Sequence, residues 1–142
     1  MYGKQLKIYG HKTTIQFQYI SVEKSSLETI RIEVATKNGD SYNYADKVTI
    51  QLKRGELYEF VEFILNFNLT FKTASHDGVC LYGNTNDNGV KNLIMNKGEK
   101  KLSHNLTVSE RKEVALFVSA RAASEARMSV TDLLNVLKLT QR

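Results

Sequence analysis

The sequence predicts an α+β protein built from two ββββα repeats. Antiparallel sheets should carry helices on one face, with pseudo-twofold internal symmetry between the halves. The first observation behind this prediction is periodicity, because short segments that alternate apolar and polar residues recur along the chain. In the stretch 47–65, Val48, Ile50 and Leu52 alternate with polar residues, and the apolar residues that follow recur at helical spacing.

The second observation is an internal repeat. An offset of 54 residues aligns the stretch that starts at Lys47 with the one that starts at Lys101, without a gap. Ordinary composition gives roughly one chance identity over such a window. The identical pairs are Lys47/Lys101, Leu52/Leu106, Glu56/Glu110, Glu59/Glu113 and Phe63/Phe117. The repeat therefore indicates two similar halves, each a run of strands closed by a helix.

The first half should contain four strands and a helix. Alternation predicts strands over 4–9, 11–22, 27–36 and 47–53. Asn38-Gly39 is a strong turn signal between the third and fourth strands, and residues 42–44 should form an extended rim. The helix is expected over about 55–66.

The second half should repeat this order. Strands are expected over 69–74, 79–83, 91–96 and 101–106, with a polar loop over 84–89. A long helix should follow over 110–126, after a capping box formed by Thr107 and Glu110. A final helix over 130–139 should begin at a second such pair, Ser129 and Asp132.

Size and composition restrict the class of protein. At 142 residues we expect one domain, residues 1–142, made of repeats at about 4–66 and 67–138. No apolar run is long enough to cross a membrane, and the first ten residues lack the apolar core of a signal peptide. The single cysteine, Cys80, excludes an internal disulfide and fits a reducing compartment, so we expect a cytoplasmic location.

The net charge of +5 favours polyanionic partners such as nucleic acid. It is equally compatible with a soluble protein that merely has a basic isoelectric point. The polar sides of the strands support a nucleic-acid partner, because they are rich in amines and amides and poor in carboxylates. Glu33 is the exception. Amines neutralise phosphates, whereas amides and exposed rings hydrogen-bond or stack on unpaired bases.

Tyr9, Tyr42, Tyr44 and Tyr82 are the candidates for stacking. The alternative is an ordinary solvated sheet surface, for which Lys, Gln and Thr are common residues. The basic hairpin at 97–101 could likewise be only a solvated turn. The residues expected to contact nucleic acid are Lys7, Tyr9, Lys12, Gln16, Gln18, Arg31, Lys47, Gln51, Lys53, Lys72, Tyr82, Lys97, Lys100 and Lys101.

This layout resembles the Whirly-type single-stranded DNA-binding fold, which is related to transcription-coactivator dimers in which each chain supplies one ββββα unit. The resemblance covers about residues 4–138 and concerns layout. The KGKAAL-like strand typical of plant Whirly proteins is absent, and the nearest basic strands are those at 47–53 and 101–106. The resemblance implies sequence-tolerant binding of single strands across sheet surfaces and edges, with assembly through helices. It also implies roles in replication, recombination or DNA transfer.

The sequence lacks the common catalytic and metal-binding motifs. There is no phosphate-binding glycine loop and no nucleophile elbow. His76 and Cys80 are separated by a turn and lack a second ligand pair, so no metal or cofactor is expected. His104 should be a core or interface residue. The recurring Glu56 and Glu110 suit the first turns of helices, which explains them without acid–base chemistry.

We therefore expect a non-enzymatic protein that binds single-stranded nucleic acid, DNA in preference to RNA, and that forms a homo-oligomer. Small residues such as Ala115 and Ala120 on the long helix could form the oligomer contact, or could let the helix lie tightly on the sheet. The rival class is a protein–protein adaptor that uses the sheet or the C-terminal helices. In that case Leu133 and Leu137 would be contact residues.

Overall fold

The computed structural model describes residues 2–39 and 41–141. The order ββββα occurs twice and is followed by one more helix, which confirms the predicted α+β fold class. The first half comprises β1 (Tyr2–Tyr9), β2 (Thr13–Val22), β3 (Leu27–Asn38), β4 (Ser41–Gln51) and α1 (Arg54–Ile64). The second half comprises β5 (Thr70–Lys72), β6 (Val79–Thr85), β7 (Lys91–Lys97), β8 (Lys100–Leu106), α2 (Val108–Ala126) and α3 (Val130–Leu139).

The strands form two antiparallel sheets in simple chain order. The first sheet has the order β1-β2-β3-β4 and the second has the order β5-β6-β7-β8. β4 begins at Ser41, six residues before the sequence-based start, because the turn at Gly39 (φ 68°) lets the chain pair back on β3 immediately. The expected rim at 42–44 is therefore part of a strand. The polar loop also shortens, since β6 continues to Thr85.

The apolar faces of both sheets and the packed sides of the helices form one continuous buried cluster. Phe60 of α1 is central to it. Its ring centroid lies 6.1 Å from that of Phe17 in the first sheet and 5.2 Å from that of Phe71 in the second. Gly83 of β6 permits the neighbouring Phe63 to approach, because a Cβ at this glycine would lie 2.7 Å from the Phe63 ring. α1 therefore packs against both sheets and contributes to the core of each.

The helix starts confirm the internal repeat. α1 begins at Arg54 and α2 at Val108, the offset found in the sequence. Thr107 and Glu110 form the expected capping box, with 3.1 Å from the Glu110 amide to the Thr107 hydroxyl and 3.0 Å for the return bond. At α1 the Lys53 backbone amide donates to the Glu56 carboxylate at 2.9 Å. Ser129 likewise caps α3 by accepting from the Asp132 amide.

Arg121 anchors α2 to the first sheet. Its guanidinium donates to the backbone oxygens of Ile20 at 2.6 Å and Thr29 at 3.1 Å, and lies 4.8 Å from the centre of the Tyr19 ring. The Tyr19 hydroxyl in turn donates to the backbone oxygen of Phe117 at 2.6 Å. Burial raises the pKa of Tyr19 in spite of the nearby arginine charge. These contacts hold α2 on the apolar side of β2 and β3.

Lys91 is a buried cation that the sequence-based prediction did not select, although period two places it on the same face as Leu93 and Met95. It lies on the apolar face of β7, fully buried, and its ammonium is 4.5 Å from the centre of the Phe63 ring. The ammonium donates to Asn66 Oδ1 at 2.8 Å and Thr85 Oγ1 at 2.6 Å, both uncharged acceptors. Asn66 lies two residues after the last residue of α1, at the helix end whose dipole favours a cation. Burial, together with the Arg111 charge, lowers the pKa of Lys91 to about 8.

Replacing Lys91 with methionine should change how stability depends on pH. The folded chain loses this proton near pH 8, whereas the unfolded chain keeps it until above pH 10. The unfolding free energy should therefore rise from about pH 8 towards pH 10, by up to about 3 kcal/mol, as the cost of burying the charge disappears. Lys91→Met should lack this rise and be at least as stable as the wild type at pH 7. Urea unfolding across pH 7–10 measures the unfolding free energy of the wild type and of the variant. Parallel pH profiles for the two proteins would contradict the lowered pKa of Lys91.

Among the described residues, no helix is long and apolar enough to cross a membrane.

Candidate nucleic-acid interface

Strand register arranges the polar side of the first sheet into rows that cross the strands. One row pairs Lys7 with Gln16, Glu33 and Thr49, and the next pairs Gln5 with Gln18, Arg31 and Gln51. Lys47 shares this side, two residues before Thr49 on β4. We call this surface the first polar face. It brings together, on one sheet, the predicted residues Lys7, Gln16, Gln18, Arg31, Lys47 and Gln51.

Cations outnumber carboxylates in the middle of the first polar face. Glu33 Oε1 lies 3.7 Å from Arg31 Nε and 3.5 Å from Lys47 Nζ, so one carboxylate serves two cations. Arg31 Nη2 also donates to Gln18 Oε1 at 3.0 Å. These contacts order the guanidinium across β2 and β3, and they leave an excess of positive charge on the face. Such an arrangement suits phosphate groups.

Aromatic rings lie at one end of the first polar face. The Tyr9 side chain is 59% exposed, its ring centroid lies 5.4 Å from that of Tyr42, and Lys7 Nζ lies 5.9 Å from its centre. The Tyr42 hydroxyl donates to the backbone oxygen of Gly10 at 2.8 Å, which positions its ring. Tyr9 can therefore stack on a base. Lys12 is exposed in the adjoining turn, and the side chain of Tyr44 lies outside the described part of the chain.

A groove of about 560 Å³ joins this end to the second sheet. It is lined by Tyr9, Lys12 and Asn105, among others. At its base the Thr13 hydroxyl donates to the Ser103 backbone oxygen at 2.9 Å and lies 2.9 Å from His104 Nδ1. Burial lowers the pKa of His104 although Glu110 and Thr13 act in the opposite direction. As expected, His104 is a buried residue, here at the junction of the sheets.

Register also orders the polar side of the second sheet, which we call the second polar face. One row contains Thr70, Asn84, Asn92 and Asn105, and the next contains Lys72, Tyr82, Ile94 and Ser103. A third pairs Cys80 with Asn96 and Lys101. The predicted residues Lys72, Tyr82 and Lys101 therefore share this face.

The second polar face also contains a group of residues that the sequence-based prediction did not select. Asn84, Asn92 and Asn96 alternate with buried residues in β6 and β7, so period two could have identified them. Asn84 and Asn92 align with Asn105 through the pairing of β6, β7 and β8. The sequence of a single strand does not reveal this pairing.

The hairpin between β7 and β8 differs from the sequence-based expectation of one basic cluster. Lys97 pairs with Lys100 at the tip of the hairpin. Lys97 lies two residues after Met95 and Lys100 two residues before Leu102, so both lysines are on the buried side of the sheet. Lys100 Nζ binds the carboxylate of Asp46 and the Asp46 backbone oxygen, and so ties β8 to β4. Of the three lysines in this hairpin, Lys101 alone projects from the second polar face.

Lys97 and two other predicted residues meet in another groove. This groove of about 410 Å³ lies between β4 and the start of β6, and it is lined in part by Gln51, Lys53 and Lys97. His76 and Asp77 lie at the same groove. Apart from Lys100, the predicted residues are therefore divided among two polar faces and two grooves between the sheets.

Glu56 and His76 form a structural link. Glu56 accepts hydrogen bonds from the Ala74 amide at 3.0 Å and, at 2.7 Å, from His76 Nε2 when that nitrogen carries its proton. Burial raises the pKa of Glu56, but the hydrogen bonds from Lys53, Ala74 and His76 outweigh burial and lower it overall. Glu56 thus holds the start of α1 to the segment before β6. Within 2–39 and 41–141, no three His, Cys, Asp or Glu residues are placed to hold a metal ion.

Removing the Glu56 charge should destabilise the protein in a pH-dependent way. Because the folded pKa is lowered, the contribution is present above about pH 4.5 and disappears as pH falls through the folded value. Glu56→Gln should cost about 1–3 kcal/mol at pH 7, since an amide cannot accept from all three donors. The cost should shrink between pH 5 and pH 3.

The matched control is Glu59→Gln, an exposed position on the same helix, which should change stability by less than about 0.5 kcal/mol. Urea unfolding at several pH values compares the variants. A Glu56→Gln penalty that is constant from pH 7 to pH 3 would show that the carboxylate charge is not involved.

Two solved structures have a similar fold. The plant transcriptional regulator PBF-2 shares 12% identity over 100% of this chain and 91% of that chain, with a TM-score of 0.65. The MRP1/MRP2 structure from Trypanosoma brucei shares 7% identity over 87% of this chain and 84% of that chain, with a TM-score of 0.64. These likenesses support a Whirly-like fold. No protein-family model matches the chain, and no curated protein matches its sequence.

Proposed function

We propose that this protein binds single-stranded nucleic acid, DNA in preference to RNA, without catalysing a reaction on it. The observation that carries the proposal is the pair of polar sheet faces, one with excess cations and one with amides and a half-buried tyrosine. Replication, recombination and DNA transfer are the processes such binding would serve. The likeness in fold to a transcriptional regulator is consistent with a nucleic-acid partner.

Affinity would come from two kinds of contact, ion pairs with phosphates and stacking on bases. Lys7, Arg31 and Lys47 would neutralise phosphates, and each such contact releases counterions, so binding should weaken steeply with salt. Tyr9 and Tyr82 would stack on bases, a contact worth about 1–3 kcal/mol per base that tolerates any sequence. Stacking requires unpaired bases, and single strands are therefore the proposed ligand.

We also propose that the protein works in the cytoplasm as a homo-oligomer. Leu116 on α2 is 76% exposed and Leu139 on α3 is 85% exposed. Exposed leucines can take part in a protein contact where they lie in one apolar patch. Ala122 and Ala123, by contrast, are buried within the chain, so part of the small-residue surface of α2 serves internal packing.

Charge reversal on both faces should weaken binding. The test is fluorescence anisotropy with a labelled oligo-dT of about 30 nucleotides and a duplex of equal length, at low and moderate salt. Lys47→Glu and Lys101→Glu should lower affinity for the single strand and reduce the slope of log K against log salt by about 0.7 for each phosphate that is no longer neutralised. The wild type should prefer the single strand.

Lys138→Glu is the matched control, because Lys138 is exposed on α3 and the change in net charge is the same. Its affinity should stay close to that of the wild type. Equal decreases in affinity in all three variants would show that only overall charge matters, and absence of binding at low salt by a folded wild-type sample would refute the proposal.

The exposed apolar residues on the helices keep a second function open, that of a protein–protein adaptor. Leu133 and Leu137, which the sequence suggests as its contact residues, are buried against the core at 2% and 7% exposure, so their substitution would disturb folding. Leu116, Val136 and Leu139 are among the exposed alternatives. Substitutions there would break a complex with a protein partner and leave oligo-dT affinity unchanged.

A further inference from the structure

The second polar face carries a row of amides across three neighbouring strands. Asn84 of β6 pairs with Asn92 of β7, which pairs with Asn105 of β8. Asn96 lies on the same side of β7. Asparagine is disfavoured in strands, so three in one row are unexpected on grounds of strand stability.

These amides are not used to hold the fold together. The side chains of Asn84, Asn92, Asn96 and Asn105 make no hydrogen bond or ion pair with any other residue that the structure describes. Asn92 Oδ1 is shielded from solvent and still has no partner among the described residues, which is a costly state for an acceptor. Asn86, by contrast, uses its Oδ1 to accept from the Asn88 amide at 3.0 Å in a turn.

The adjacent row offers a flat, partly apolar surface. It includes Tyr82 and Ile94, both half-buried, and the Lys72 ammonium lies 5.5 Å from the centre of the Tyr82 ring. A base whose edge meets the amide row can therefore place its flat side near a ring and an aliphatic chain. Amides that bond the edge and a ring that covers the plane are the usual means of recognising an unpaired base.

The spacing also favours separated bases. Neighbouring strands lie about 4.8 Å apart, and the bases of a stacked strand rise about 3.4 Å each. A nucleic-acid strand that crosses β6, β7 and β8 can meet one amide per base only if its bases are unstacked. The row therefore fits a splayed single strand.

We propose that Asn84 and Asn105 hydrogen-bond the edges of unpaired bases, with Asn92 between them as a donor only, because its Oδ1 is shielded. They give the protein a preference for bases that carry an exocyclic amine beside a ring nitrogen, adenine or cytosine. An asparagine amide can donate to one ring nitrogen of adenine and accept from its exocyclic amine at the same time. This inference rests on the proposed function and adds base readout by the second polar face to phosphate binding by the first.

The test compares two oligonucleotides in fluorescence anisotropy: oligo-dA, and the same length of N6,N6-dimethyladenine. Dimethylation removes the donor hydrogens of the amine and keeps the charge and the ring. The wild type should bind oligo-dA about tenfold more tightly or better. The double variant Asn84→Ala with Asn105→Ala should bind both about equally, with an unchanged salt dependence.

Asn84 and Asn105 are exposed, so this variant should fold normally, and circular dichroism checks it. Asn135→Ala, an exposed amide on α3, is the control and should keep the wild-type ratio. Equal wild-type binding of the two oligonucleotides, or a ratio that survives in the double variant, would overturn the amide proposal and leave strand binding intact. Failure of the wild type to bind oligo-dA and oligo-dT at low salt would overturn the proposed function itself.

Discussion

The structure depends on the burial of the apolar sides of two sheets around α1. Phe60 contacts Phe17 on one side and Phe71 on the other, so neither sheet can complete its core without this helix. Because side chains alternate along a strand, burying one side of each sheet directs the other side outward. The polar faces are thus a geometric consequence of the core.

Polar contacts between residues that are far apart in the sequence then fix the positions of the helices and sheets on that core. Arg121 bonds two backbone oxygens at the far end of β2 and the near end of β3, and Glu56 ties the start of α1 to the segment before β6. Thr13 and His104 meet where the two sheets join. Each contact satisfies a buried polar group, which would otherwise oppose folding. The grooves between the sheets lie beside these junctions.

Much of the architecture could be predicted from the sequence because alternation and helix capping are local signals. Val48, Ile50 and Leu52 indicate a buried strand face, and Thr107 with Glu110 marks where α2 begins. The 54-residue repeat supports both predictions. The early start of β4 is not evident from the sequence because Tyr42 and Asn43 pair with Lys37 and Thr36 after an irregularity in register, which hides the alternation.

The candidate interface could be predicted less completely, since it depends on which strands pair. Lys100 resembles any other basic residue until Asp46 is found beside it, 54 positions earlier in the chain. Lys91 resembles a solvated strand residue until Phe63 and Asn66 are seen around it. The asparagine row requires the register of three strands at once. Leu137 looks like an adaptor contact, but the cluster that buries it is formed by distant segments.

The most direct test of strand binding by the polar faces is a nuclear magnetic resonance titration of the isotope-labelled full chain with oligo-dT. Side-chain amide signals report on single faces. Those of Gln16, Gln18, Asn92 and Asn105 should shift or broaden at low salt, and the signal of Asn135 on α3 should not. Changes confined to α2 and α3, or none at all at low salt, would contradict the account and favour a protein partner for the exposed helices.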